Sequence, residues 1–124
     1  MPELSPIKSY AIPREINSNV TDWHVDPDRV LLLFHDMQHY FLRPFTENSN
    51  PASALVSNSV RIRQACIAAN IPIAYTAQPG DMTPEQRGLL NDIWGAGMKA
   101  TPNDRQVITP LAPRPEDWLL TKWR

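Results

Sequence analysis

The chain predicts an α/β fold built on a parallel sheet, and three observations carry that prediction. Val30-Leu31-Leu32-Leu33-Phe34 is an apolar run without alternation, which reads as a strand buried on both faces, as at the centre of a parallel sheet. A helical stripe follows, then a second strand over residues 71–77, so strand, helix and strand make the crossover unit of a parallel sheet, expected to be right-handed. Both strands end abruptly in polar groups, Asp36 after the first and Gln78-Pro79-Gly80 after the second. Open α/β sheets hold their ligand crevice at these carboxyl ends. Two readings of Asp36 therefore stand: an acid of that crevice, or a loop or helix-capping residue, the common fate of Asp after a strand.

Taken in order, residues 1–27 carry Pro2, Pro6, Pro13 and Pro27 among scattered apolar residues with no clean period. They read as an extended arm lying across the domain that occupies residues 28–124. Asp26-Pro27-Asp28 turns the chain into the first strand. Beyond Asp36, the aromatic-rich Gln38-His39-Tyr40-Phe41-Leu42 leads through Arg43-Pro44 to a polar loop over residues 46–50. Pro51 opens a helix in which Leu55, Ser59, Ile62, Cys66 and Ala69 recur at steps of four and three, with Arg61 and Arg63 off the stripe and Asn70 as its stop. Cys66 on that stripe is a small core residue. Pro72 is tolerable only at the start of the second strand.

Thr83-Pro84-Glu85-Gln86 forms a capping box, predicting a short helix through about residue 92, with Arg87 in its opening turns. Trp94-Gly95-Ala96-Gly97 ends it; this GxG lacks a third glycine and a preceding strand, so it is no dinucleotide fingerprint. Residues 98–116 are irregular, with one helical turn after Thr101-Pro102. Trp118-Leu119-Leu120-Thr121 is the third strand, and Lys122 falls at its end. A doubly wound sheet needs a further helix and further strands, so the expectation is a domain truncated after its third strand or completed by a partner.

Composition bounds the partners. The 124 residues suit one small domain, and twelve Lys and Arg against thirteen Asp and Glu leave a net charge of -1, no field for nucleic acid or an acidic membrane. The lone Cys66 excludes an internal disulfide and any paired-cysteine metal site, which points to a reducing cytoplasm. The opening Met1-Pro2-Glu3-Leu4-Ser5-Pro6 lacks the basic and apolar regions of a leader, and no run approaches membrane-spanning length. His35, Asp36 and His39 are crowded, but His35 and Asp36 would point to opposite faces of a continuing strand and His24 lies in the arm, so no metal is expected. No Ser-His-Asp or Cys-His set is arguable.

Three strand ends thus deliver Asp36, Gln78 and Lys122 to one sheet edge, with Arg87 and Trp94 on the segment after the second strand. Singly, Arg87 reads as a solvated helix residue, Lys122 as a surface charge and Trp94 as core. Together they suit a small anionic substrate.

Four segments, in order, resemble the isochorismatases of the cysteine-hydrolase-like superfamily: Leu33-Phe34-His35-Asp36-Met37-Gln38 with Tyr40-Phe41, Ala74-Tyr75-Thr76-Ala77-Gln78-Pro79, Glu85-Gln86-Arg87-Gly88-Leu89-Leu90-Asn91-Asp92-Ile93-Trp94-Gly95, and Leu120-Thr121-Lys122-Trp123-Arg124. The resemblance covers the whole chain but only part of the family's domain, whose lysine motif normally runs on into Tyr-Ser-Ala-Phe. It implies a Rossmann-like three-layer α/β/α fold, homo-oligomeric at full length. It also implies cofactor-independent hydrolysis of the vinyl ether of isochorismate, or of its amino analogue, to pyruvate and a dihydro-dihydroxybenzoate or dihydro-hydroxyanthranilate, in siderophore or phenazine biosynthesis.

By resemblance, Asp36 is the general acid, Lys122 the lysine beside it, Gln78 and Arg87 contacts to substrate carboxylates, and Trp94, Tyr40 and Phe41 the pocket wall. The chemistry accords: protonating the vinyl carbon gives an oxocarbenium ion that water captures, which needs a positioned acid and no nucleophile. Dry walls and substrate carboxylates favour a protonated Asp36, whereas Lys122 favours the ionised form until substrate occupies it. A nicotinamidase-like amidohydrolase is the alternative, against which residues 46–58 hold no Asp-x-His and the cysteine is on a core helix. A catalytically inactive fragment or interaction module is the other.

Overall fold

Ile73, Ala74 and Tyr75 are each at most 2% exposed, and they are the middle of a parallel sheet in the computed structural model, which describes residues 4–123. The strands β1 (Leu32–His35), β2 (Ile73–Ala77) and β3 (Trp118–Thr121) lie in the order β1-β2-β3. Phe34 stands opposite Tyr75 and Tyr75 opposite Leu119; His35 stands opposite Thr76 and Thr76 opposite Leu120. The helices are α1 (His39–Leu42), α2 (Ala52–Ala68), α3 (Pro84–Arg87), α4 (Leu89–Trp94) and α5 (Pro102–Arg105), with a 3-10 turn over Thr109–Leu111. The expected α/β class with a parallel sheet is therefore the observed one.

One face of this sheet carries the core. Phe34, Ile73 and Tyr75 pack with Val107, Ile108 and Leu111, and Val56, Val60, Cys66 and Ile67 of α2 close over them. Burying each such side chain stabilises the fold by roughly 1.5–3 kcal/mol. On the other face Leu33, Trp118 and Leu120 are all at least half exposed among the described residues. This corrects the reading of β1 as a central strand buried on both sides. Among the described strands β2 is central, β1 is an edge, and its exposure alternates because α2 covers only one face.

Four further expectations shift. The buried side of α2 runs through Val56, Ser59, Val60, Cys66 and Ile67, while Leu55 and Ile62 lie exposed. Arg63, expected off the stripe, turns inward because its guanidinium donates to Ala112 O (2.7 Å) and lies 3.9 Å from the buried Asp117 carboxylate. The helix expected from Thr83 is two short ones. The Thr83–Gln86 capping box forms with both reciprocal bonds, but Gly88, at φ 55°, breaks the run. β2 starts after Pro72 rather than at Ile71.

At the amino end of β3, Asp117 closes a polar cluster. Its carboxylate accepts hydrogen bonds from the Arg114 backbone (2.8 Å) and from Arg114 Nη2 (2.8 Å), and its side chain is 1% exposed. Burial pushes this carboxyl up, but the Arg114 hydrogen bonds and the Arg114 and Arg63 charges outweigh it and hold it below the usual aspartate value.

Described arm residues 4–27 form neither helix nor strand. Ile7 N donates to Pro44 O (2.8 Å) and Tyr10 N to Asn50 O (3.1 Å), whereas Ile16, Val20 and Trp23 are almost wholly exposed. The expectations for Met1-Pro2-Glu3 and for Arg124 lie outside the described residues. No helix among the described residues is long and apolar enough to cross a membrane.

Candidate functional site

Asp36 sits where β1 stops, and its backbone is left-handed, with φ 51°. Strand alternation would send its side chain to the Phe34 face, into the core. Asp is among the few residues that adopt this conformation readily. The turn instead carries the carboxylate to the opposite face, where His35 and Thr76 already point. The expected opposition of His35 and Asp36 does not occur, because the chain leaves the strand at residue 36.

Thr76, at the middle of the sheet, is the hub of the result. Its hydroxyl donates to Asp36 Oδ1 (2.9 Å), accepts from the Asp36 backbone N–H (3.1 Å) and lies 2.8 Å from His35 Nδ1. Lys122 arrives from the far strand. Its backbone N–H donates to Ala77 O (2.9 Å), continuing the β2–β3 ladder, and its Nζ lies 3.1 Å from Asp36 Oδ2. Alternate strands are roughly 10 Å apart, so a long cation and an inward-turned carboxylate meet over the short Thr76 between them. The Asp36 side chain is 11% exposed and that of Lys122 27%, so the pair is shielded more than a surface salt bridge. His35 Nε2 stands 3.6 Å from the same Oδ2.

Gln78 is held by its backbone. The fully buried Gln38 accepts from Gln78 N (2.9 Å) and donates to Gln78 O (2.8 Å) and to Arg105 O (2.6 Å). Its side-chain amide thus stands in for the strand partner that was lost when the chain turned at Asp36. Gln78 borders a cavity of about 530 Å³ with Pro79, Arg105, Val107, Leu119 and Thr121. Asp36 and Lys122 are not in that lining.

Arg87, read alone as a solvated residue, is 5% exposed. Its Nε donates to Gly95 O, and its guanidinium lies against Gly97 so closely that a Cβ there would come within 2.3 Å of Nη1. Trp94 is half exposed. Tyr40 and Phe41 form an edge-on pair with centroids 5.2 Å apart, and Tyr40 borders a small cavity with Leu4, Pro6, Arg43 and Pro44 of the arm side. The structure therefore brings Asp36 and Lys122 into contact and adds His35 and Thr76. It does not join Gln78, Arg87, Trp94, Tyr40 or Phe41 to that pair by any direct bond. Among the described residues, no group of three or more His, Cys, Asp or Glu is set to share a metal ion.

Sequence reasoning gave no role to Thr76 or Gln38 and weighed His35 only as a metal ligand. The available signal was positional: Thr76 lies two residues before Gln78 on the same strand face.

The family model described as the isochorismatase domain matches residues 30–124. The phenazine biosynthesis protein PhzD of Pseudomonas fluorescens is 53% identical over 100% of this chain and 60% of its own length. The isochorismatase of Bacillus subtilis is 42% identical over 98% of this chain and 39% of its own length. Enterobactin synthase component B of Escherichia coli K12 is 40% identical over 98% and 43%. The chain thus spans at most about 60% of these relatives. Among solved structures, a cysteine hydrolase from Pseudomonas syringae pv. phaseolicola superposes with a TM-score of 0.67 at 21% identity, over 86% of this chain and 52% of its own. N-carbamoylsarcosine amidase from Thermoplasma acidophilum gives 0.59 at 22%, over 74% and 50%. These last two establish the cysteine-hydrolase-like fold alone.

Proposed function

The chain belongs to the isochorismatase family, and from that premise we propose that it supplies the proton-donating half of a vinyl-ether hydrolase active site. The substrate is a small dianion, isochorismate or its amino analogue, and the products are pyruvate and the corresponding dihydro ring acid. The identity is higher to the phenazine biosynthesis protein than to the Bacillus subtilis isochorismatase or enterobactin synthase component B, which favours the phenazine branch of this reading and with it the amino analogue. The observation that carries the reading is the 3.1 Å contact between Asp36 and Lys122 at the carboxyl edge of the sheet.

Substrate carboxylates occupy Lys122 and Arg87, and Asp36, released from its cation, carries the proton. That proton passes to the terminal vinyl carbon. The resulting oxocarbenium ion adds water, and the hemiketal collapses to pyruvate and the ring alcohol. Gln78 assists Arg87 in holding carboxylate, and Trp94, Tyr40 and Phe41 wall the ring. Residues 28–124 form the hydrolase part, residues 1–27 its arm, and the reaction runs in the cytoplasm.

Incubating the protein with each substrate and following pyruvate through lactate dehydrogenase tests this. Pyruvate release that falls at least about 100-fold in Asp36→Asn supports the acid role, since a positioned acid supplies roughly 10²–10⁴-fold. Release that survives the substitution refutes it.

A further inference from the structure

The acid of this site shares its hydroxyl partner with a histidine that the reaction above leaves idle. Thr76 Oγ1 touches Asp36 Oδ1, the Asp36 N–H and His35 Nδ1 at 2.9, 3.1 and 2.8 Å. A threonine hydroxyl has one proton to give and two lone pairs to receive with. Oδ1 of an aspartate can only accept from it, and the Asp36 N–H can only donate to it. The remaining partner, His35 Nδ1, must then donate, so a neutral His35 carries its proton on Nδ1 and a lone pair on Nε2. That lone pair stands 3.6 Å from Asp36 Oδ2, the carboxylate oxygen that Thr76 leaves unengaged. Among the described residues, Lys122 Nζ is the other charged group on this carboxylate, and it lies on the same Oδ2.

We propose that His35 is the proton store of Asp36, with Thr76 as the positioning residue that keeps Nε2 free to act. The proposal rests on the vinyl-ether reading. With Oδ1 occupied by the Thr76 hydroxyl, the proton that Asp36 transfers resides on Oδ2. The O–H bond of Oδ2 breaks as a C–H bond forms at the vinyl carbon. The water that adds to the oxocarbenium carbon must then shed a proton. His35 Nε2 accepts it as the water O–H breaks, giving an imidazolium beside the Asp36 carboxylate. The N–H then breaks as the Oδ2–H bond re-forms. The cycle closes with no net gain or loss of protons and with His35 neutral again. The His35 side chain is 62% exposed against 11% for Asp36, so the imidazole is the more open of the two to an incoming water. The 3.6 Å gap is too long for a formed hydrogen bond, and such contacts tighten when substrate binds.

Two measurements test it. Long-range ¹H–¹⁵N spectra of the free protein, labelled at histidine nitrogens, read the neutral tautomer of His35 directly. The expected result is a proton on Nδ1 in the wild type and on Nε2 in Thr76→Val. A wild-type proton on Nε2 overturns the proposal. In the pyruvate assay, His35→Gln is expected to lower kcat about tenfold with KM within about twofold, and His35→Ala to recover part of its loss in buffer containing free imidazole. Unchanged kcat in both variants overturns it also. A wild-type protein that releases no pyruvate removes the substrate reading and the proton return with it, while the tautomer measurement still decides whether Thr76 positions His35.

Discussion

The two ends of this sheet each hold an enclosed aspartate against basic side chains, and they hold it differently. At the amino end, Asp117 is surrounded: two arginines and a backbone N–H converge on its two oxygens, and its side chain is 1% exposed. At the carboxyl end, Asp36 has one hydroxyl on Oδ1 and one lysine on Oδ2, with a solvent-facing imidazole nearby. Full satisfaction locks a carboxylate in its ionised form. Partial satisfaction, from a single flexible cation that a substrate can draw away, leaves lone pairs for a substrate to meet. The difference teaches that burial and pairing alone do not mark a site; the number of unspent lone pairs does.

The largest effect expected from breaking this contrast is Asp36→Asn, with a loss of pyruvate release of at least about 100-fold, or about 2.7 kcal/mol of transition-state stabilisation. Asn tolerates the left-handed backbone, so the melting temperature in a thermal scan stays close to wild type. Asp117→Asn should do the reverse. It removes about 2 kcal/mol of stability, less than the ~3–5 kcal/mol of a fully enclosed pair because Arg114 remains partly open to water.

The same variant has a pH signature. The Asp117 carboxyl is held below its ordinary value in the fold, so its contribution is complete above about pH 4 and disappears as pH falls through the folded value. Melting scans from pH 7 downward should show that acid-side decline in the wild type and a shallower one in Asp117→Asn.

Gly97→Ala sharpens the comparison between Arg87 and Lys122. The added Cβ meets the Arg87 guanidinium at 2.3 Å, on a backbone at φ 73°. A cost of about 1–3 kcal/mol in a melt is expected, with KM raised several-fold and kcat within about twofold if Arg87 only binds. The smallest effect belongs to Arg43→Ala. The Arg43–Asp104 ion pair holds the Asp104 carboxyl below its usual value, through hydrogen bonds from Arg43 and then from the Lys99 backbone. Arg43 is half exposed, so its loss should change stability by under about 1 kcal/mol.

Much of this was legible in the chain. Apolar runs ended by polar residues placed Asp36, Gln78 and Lys122 at strand ends, and the Thr83–Gln86 capping box formed as its residue types require. Residues 102–105 formed the helical turn expected after Thr101. What was not legible depended on partners distant in sequence. The α2 stripe settles on Val56, Val60, Cys66 and Ile67 against the core, with Arg63 on that same side beside the buried Asp117, and a stripe read from spacing alone has no knowledge of a buried charge. Arg87 is enclosed because Gly97 lets it lie flat, a relation between two loop positions. The turn of Asp36 toward Thr76 needed the backbone angle itself, since alternation gives the opposite face.

That backbone angle bears on anyone who would graft this chemistry elsewhere. An acid placed at the tip of some other parallel strand, with a lysine two strands over, would face the wrong layer and never meet it. The transplant must include the left-handed kink, which narrows the host position to the handful of residue types that accept one. It must also include a small hydroxyl on the intervening strand as a saddle for both ends.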